Sequence, residues 1–122
     1  MPIRNVETYL QDIIQSSENI QVFLKEFTLD AYEQDLKTRS AVERQLMILT
    51  EAVIRLKSDA ESLLPGIDCL KIRGLGNFMR HEYENVQDHR IWETVHADLP
   101  LPIKVAKQSL ERVGKNESKE LS

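Results

Sequence analysis

Two long apolar stripes with helical spacing govern what this chain can become. Val6, Leu10, Ile13, Ser17, Ile20, Leu24 and Phe27 follow one another at alternating steps of four and three residues. Val42, Leu46, Leu49, Val53, Leu56, Ala60 and Leu63 repeat the same rhythm. Steps of that size put side chains on one side of an α-helix, whereas a half-buried strand alternates at every second residue. No such alternation runs through the 122 residues. Neither stripe contains Pro or Gly, so each reads as one long helix, the first spanning roughly 35 Å at ~1.5 Å per residue. Tyr9, Ile14 and Phe23 widen the first stripe. Met47, Ile48 and Ile54 lie off the second and give it more apolar surface than one neighbouring helix covers. A second subunit is the expected partner for that excess, with other helices of the same chain as the alternative.

The residues between the stripes act as punctuation. Thr28-Leu29-Asp30 breaks the first stripe, and Thr28 or Asp30 can cap a short turn through Tyr32. Thr38 or Ser40 can cap the second long helix, and Ser40 with Glu43 matches a capping box. Pro65-Gly66 ends that helix, and Asp68 can cap a third. The stretch from Asn85 to Asp88 reads as a turn, with Asp88 as the candidate N-cap of a fourth helix whose inward residues are Ile91, Trp92, Val95 and Leu99. Pro100 and Pro102 suit the first turn of a fifth, with Ile103, Val105, Ala106, Leu110 and Val113 on its apolar side. The polar residues from Gly114 to Ser122 are expected to fray. The expectation is a single all-α domain over residues 1–113, a bundle of four to five helices, followed by a polar tail at 114–122.

Composition narrows the function. A lone cysteine, Cys69, builds neither a disulfide framework nor a metal site. No apolar run approaches the ~18–20 residues of a membrane span. The N-terminal residues lack a signal-peptide pattern. These features point to the cytoplasm and to no membrane. The formal net charge of -4 argues against non-specific coating of nucleic acid but leaves room for a local site.

Such a site is visible in the third helix. From Lys71 to His81 the chain carries no acidic residue, and Lys71, Arg73, Arg80 and His81 form an island of positive potential that attracts phosphate. Asn77 and His81, four residues apart, share one helix face, and Tyr83 follows two residues later. An imidazole beside phosphate-binding groups is the minimum for metal-independent RNA cleavage. The imidazole moves a proton at the ribose 2′-OH or the leaving oxygen, and cations hold the phosphate charge. A lone helical His is more commonly an ordinary surface residue, so the charge island is the more specific signal. A metal site is not expected, because His81, His89 and His96 do not share i, i+4 spacing on one helix. No cofactor motif is present. Gly74 and Gly76 inside one helix suggest close backbone approach or a bend, or helix packing with no functional content.

The run Gly74-Leu75-Gly76-Asn77-Phe78-Met79-Arg80-His81-Glu82-Tyr83 resembles the signature of HepT-like proteins in the HEPN superfamily. Ala41-Val42-Glu43-Arg44, Thr50-Glu51-Ala52, Ile91-Trp92 and Asp98-Leu99-Pro100 resemble other segments of that family, so the likeness covers most of the chain. It implies an all-α HEPN fold and a homodimer that joins two motif copies at a cleft. It implies metal-independent endoribonuclease activity as the toxin of a type VII-like toxin–antitoxin pair. The antitoxin would be a small nucleotidyltransferase that attaches AMP to the tyrosine two residues after the His. By this match Asn77 and His81 are catalytic and Tyr83 is the AMP acceptor. The family places an arginine directly before the Asn, where this chain has Gly76. Arg80 is the expected replacement as the phosphate-binding cation, with Arg73 as the alternative, and an arginine reinstated at position 76 is expected to raise a weakened activity. Cys69 stands where many relatives have Trp. The departure at Gly76 keeps a second reading open, a non-catalytic module that binds a nucleotide or an antitoxin.

Overall fold

The computed structural model describes residues 3–81 and 88–121, with side chains for residues 5–77, 79 and 89–114. Within them the chain is α-helical, as the stripes require. Helix α1 covers Ile3–Leu24, α2 Leu29–Gln34, α3 Leu36–Leu56, α4 Ala60–Leu63, α5 Cys69–His81, α6 Asp88–Asp98 and α7 Pro100–Leu121. The all-α expectation therefore holds, and α7 continues through residues read from sequence as a polar tail.

The two stripes are the core. Leu10, Ile13, Ser17, Ile20 and Leu24 of α1 are buried, as are Val42, Leu46, Leu49, Val53 and Leu56 of α3. These helices lie against each other, α7 covers another side of α1, and α5 rests on α3. Helix α6 touches α2 and α7. Of the residues off the second stripe, Met47 packs against the core. Ile48 and Ile54 stay half-exposed on α3. Trp92 is half-buried rather than central, with its ring 5.5 Å from that of the buried Tyr32 and 4.2 Å from that of His96.

Several helix ends depart from expectation, and two of them bound α3. Helix α3 begins not at Ser40 but at Leu36, because Asp35 is its N-cap. The Asp35 carboxylate accepts from the Thr38 amide at 3.4 Å and from the Thr38 hydroxyl at 2.9 Å. A carboxylate satisfies an orphan amide and also meets the positive end of the helix dipole, so it outcompetes a hydroxyl four residues inside the helix. The other departure is the far end of the second stripe, which is not one helix through Leu63. Lys57 has φ 54°, α3 stops there, and a tight 3-10 turn at Lys57–Asp59 leads into α4. Ala60 nevertheless stays fully buried, so the apolar pattern survives the break. The Thr28 hydroxyl caps α2 by accepting from Ala31. Pro65-Gly66 makes the predicted stop: Gly66 has φ 82° and the Ile67 amide bonds to the Leu64 carbonyl at 3.1 Å, the pattern of a turn that needs glycine at its third position.

Candidate nucleic-acid site on α5

Helix α5 is short, and its start is secured by Asp68, whose carboxylate accepts from the Lys71 amide at 3.0 Å. One side of α5 is sequestered: Cys69, Leu75, Gly76 and Met79 are buried and Ile72 is half-buried against the core. Leu70, Gly74 and Asn77 are exposed on another side. With ~100° of turn per residue, position 81 falls in the sector of Asn77 and Gly74. Positions 73 and 80 fall along the line of Gly76, at the edge of the buried side. The sequence-predicted residues thus split into two sectors. Asn77 and the helical position of His81 face one way, and the positions of Arg73 and Arg80 lie on the line of Gly76. The backbone of Arg80 and His81 is in the last turn of α5, while their side chains lie outside the described residues. Tyr83 also lies outside them.

The charge island is less free than its sequence suggests. The Lys71 ammonium donates to the Asp98 carboxylate of α6 at 2.9 Å, with both side chains well exposed. That hydrogen bond, with the attraction of Asp98, raises the Lys71 pKa above the ordinary lysine value. The Arg73 guanidinium donates to the Lys57 carbonyl at 3.1 Å. That carbonyl also accepts from the Ala60 amide in the 3-10 turn, so the arginine from α5 adds a second donor at the end of α3. Two cations of the island therefore brace α5 against α6 and against the end of α3. Neither partner is visible from local sequence, because Asp98 and Lys57 belong to other elements.

The two glycines differ in meaning. A Cβ placed on Gly74 would meet nothing within 4 Å. One placed on Gly76 would lie 2.8 Å from Thr50 Oγ1 and 2.9 Å from Thr50 Cβ. Glycine inside a helix costs ~0.8–1 kcal/mol relative to alanine, and only at position 76 does the close approach of another helix explain it. An arginine at 76, expected from the family pattern to raise activity, would have to displace Thr50 in the α3–α5 contact. From sequence Thr50 appears only as part of the family-like run Thr50-Glu51-Ala52, with no role of its own.

Cys69 is buried, and burial pushes its thiol pKa up. An apolar groove of about 270 Å³ opens near the start of α5, lined by Leu46, Leu49, Ile72, Leu75, Leu99 and Pro102 among others. It lies at the opposite end of α5 from His81. Among the described residues no helix is long and apolar enough to cross a membrane.

Comparison with known proteins gives this geometry a context. The family model described as Ribonuclease HepT-like matches residues 13–109, which include all of α3, α5 and α6. A protein of Thermococcus cleftensis whose name reads Probable ribonuclease HepT is 32% identical over 97 residues, covering 80% of this chain and 88% of the relative. A protein of Methanocaldococcus jannaschii, provisionally named as an RNase, is 29% identical over 113 residues, covering 93% of each chain. One of Caldanaerobacter subterraneus, similarly named, is 28% identical over 104 residues, covering 85% of this chain and 93% of the relative. No solved structure matches the chain at comparable significance. On the extent of these matches, the chain belongs to the HepT-like ribonuclease family.

Proposed function

We propose that the protein is a metal-independent RNA endonuclease of the cytoplasm whose chemistry lies at the C-terminal end of α5. The observation that carries this reading is the family match over residues 13–109, which contains the whole stretch from Lys71 to His81. His81 accepts the proton of a ribose 2′-OH, or returns one to the leaving oxygen. Asn77, exposed one turn earlier, contacts the ribose or phosphate. Arg80 is the cation that holds charge developing on the phosphate. Arg73 is the weaker candidate because its guanidinium is drawn to the Lys57 carbonyl. Two copies of the chain form the working unit, with the half-exposed Ile48 and Ile54 of α3 and the outward side of α5 at their interface, so that two sites face one cleft.

The partner in this reading is a nucleotidyltransferase antitoxin that transfers AMP to Tyr83, as the likeness of His81-Glu82-Tyr83 to the family motif implies. A phosphate attached there adds negative charge beside the cations and repels RNA. The test is cleavage of total RNA in EDTA by purified protein, beside His81→Ala. Cleavage lost in the variant supports the reading, and equal cleavage by both removes it. Light scattering of the same samples reads the dimer, and mass spectrometry after co-expression with the transferase reads Tyr83.

One observation favours a second reading. Gly76 packs on Thr50 with no space for the arginine that the family motif carries there. A chain that had lost this cation could serve as a binding module without cleavage. Intact RNA after long incubation with folded, dimeric wild-type protein would support the module instead.

A further inference from the structure

We infer that Thr50 of α3 is a positioning residue for the end of α5: its side chain is the seat on which the Gly76 backbone rests, and it fixes the depth and rotation at which Asn77 and His81 are presented. The functional consequence rests on the cleavage reading above, but the contact itself does not.

Thr50 is fully buried and lies between Leu49 and the buried Ala52 on α3. Its hydroxyl donates to the Met47 carbonyl at 3.1 Å, three residues back in the same helix. A helical threonine ordinarily divides between two rotamers, and a bond of this kind selects one. The atom held in place is Oγ1, which lies only 2.8 Å from where a Gly76 side chain would begin. Thr50 Cβ, at 2.9 Å, is attached directly to the α3 backbone and cannot swing aside. Any side chain at 76 must therefore move one helix relative to the other. Leu75 and Met79, before and after Gly76 along α5, are buried in the same core.

The site is mechanically close to this seat. Asn77 is the next residue, and His81 is five residues on, roughly 7.5 Å along the axis. Displacements on the order of 1 Å in a catalytic group can cost about a hundredfold in rate. Gly74 supplies an internal comparison: it has the same residue type and helix, lies two positions away, and faces open space.

The experiment compares Gly74→Ala, Gly76→Ala, Thr50→Ala, Thr50→Ser and the double variant Gly76→Ala with Thr50→Gly. Each is assayed for RNA cleavage in EDTA, with the His81 and Asn77 side-chain signals followed by NMR. Gly74→Ala and Thr50→Ser should match wild type, because one meets open space and the other keeps Oγ1 and its bond. Gly76→Ala and Thr50→Ala should lower kcat roughly ten- to a hundredfold, with a much smaller change in KM, and should shift both NMR signals. Moving the glycine across the contact in the double variant should recover most of the rate and return the signals toward wild type. If Gly76→Ala does not fold, Thr50→Ala against Thr50→Ser decides the matter. Wild-type rates and signals in Gly76→Ala and in Thr50→Ala overturn the inference, as does loss in Thr50→Ser equal to that in Thr50→Ala. A wild-type protein that cleaves no RNA defeats the cleavage reading alone, since the NMR signals still report whether Thr50 sets the position of α5.

Discussion

The guanidinium of Arg73, in the middle of α5, donates to the carbonyl of Lys57, the residue at which α3 ends. The bond ties the helix that carries the candidate chemistry to the turn that follows its supporting helix. Lys57 holds φ 54°, a conformation that non-glycine residues rarely adopt, so the turn needs support from elsewhere in the fold. On this geometry Arg73→Ala should destabilise the protein by about 1 kcal/mol, the usual net value of a hydrogen bond at a partly exposed site. In a domain of this size that is a fall in Tm of roughly 3–5 °C. Cleavage per folded molecule should change little. Thermal unfolding followed by circular dichroism, beside an RNA assay below the transition, separates the two effects. A stable but inactive Arg73→Ala would instead make Arg73 the phosphate-binding cation.

Arg80 should behave in the opposite way. Loss of one preorganised donor to developing charge typically costs ~3–4 kcal/mol in transition-state stabilisation, a rate loss of a hundredfold or more. Arg80→Ala should therefore approach the loss in His81→Ala while leaving Tm nearly unchanged. Lys71→Ala should retain most activity, because its ammonium is bound to Asp98 at the other end of α5. Initial rates of RNA cleavage in EDTA, on dimer-matched samples, check all three. Full activity in Arg80→Ala would exclude it as the cation.

Reinstating the family arginine should fail in this chain. Gly76→Arg must force a side chain into the space held by Thr50, and overpacking of this kind costs typically 1–3 kcal/mol and sometimes more. The expected outcome is a lowered Tm and lower, not higher, cleavage. A more active, equally stable Gly76→Arg would show that α5 can shift to admit it.

The Asp35 cap gives a prediction in pH. The Thr38 hydroxyl, then the Thr38 amide, hold the Asp35 carboxyl below the ordinary aspartate range. A value depressed by folding means that the contribution is complete above the unfolded value and disappears as pH falls through the folded one. Asp35→Ala should therefore lower Tm by a few degrees at neutral pH, and its deficit relative to wild type should shrink below about pH 4. Thermal scans across that range check the sign. A deficit that is constant with pH would assign the effect to packing rather than to the charged cap.

Much of this protein was determined by sequence alone, because apolar periodicity is a local property that does not need the partner to be known. The stripe from Leu10 to Leu24 and the stripe from Val42 to Leu56 are the buried faces of α1 and α3. The stop at Pro65-Gly66 and the start at Asp68 follow equally from the conformational limits of those residues. The candidate chemistry at Asn77, Arg80 and His81 was legible as a run without acidic charge in a family motif. Tertiary structure decided what depends on distances between segments remote in sequence. It turned the chain at Lys57, where α3 gives way to a 3-10 turn although the apolar rhythm runs on to Ala60, and it brought Arg73 of α5 to the Lys57 carbonyl. It separated Gly74 from Gly76, identical as letters, by placing only the second against Thr50. A glycine reports that a side chain is absent; only the neighbouring helix says what would have occupied the same space.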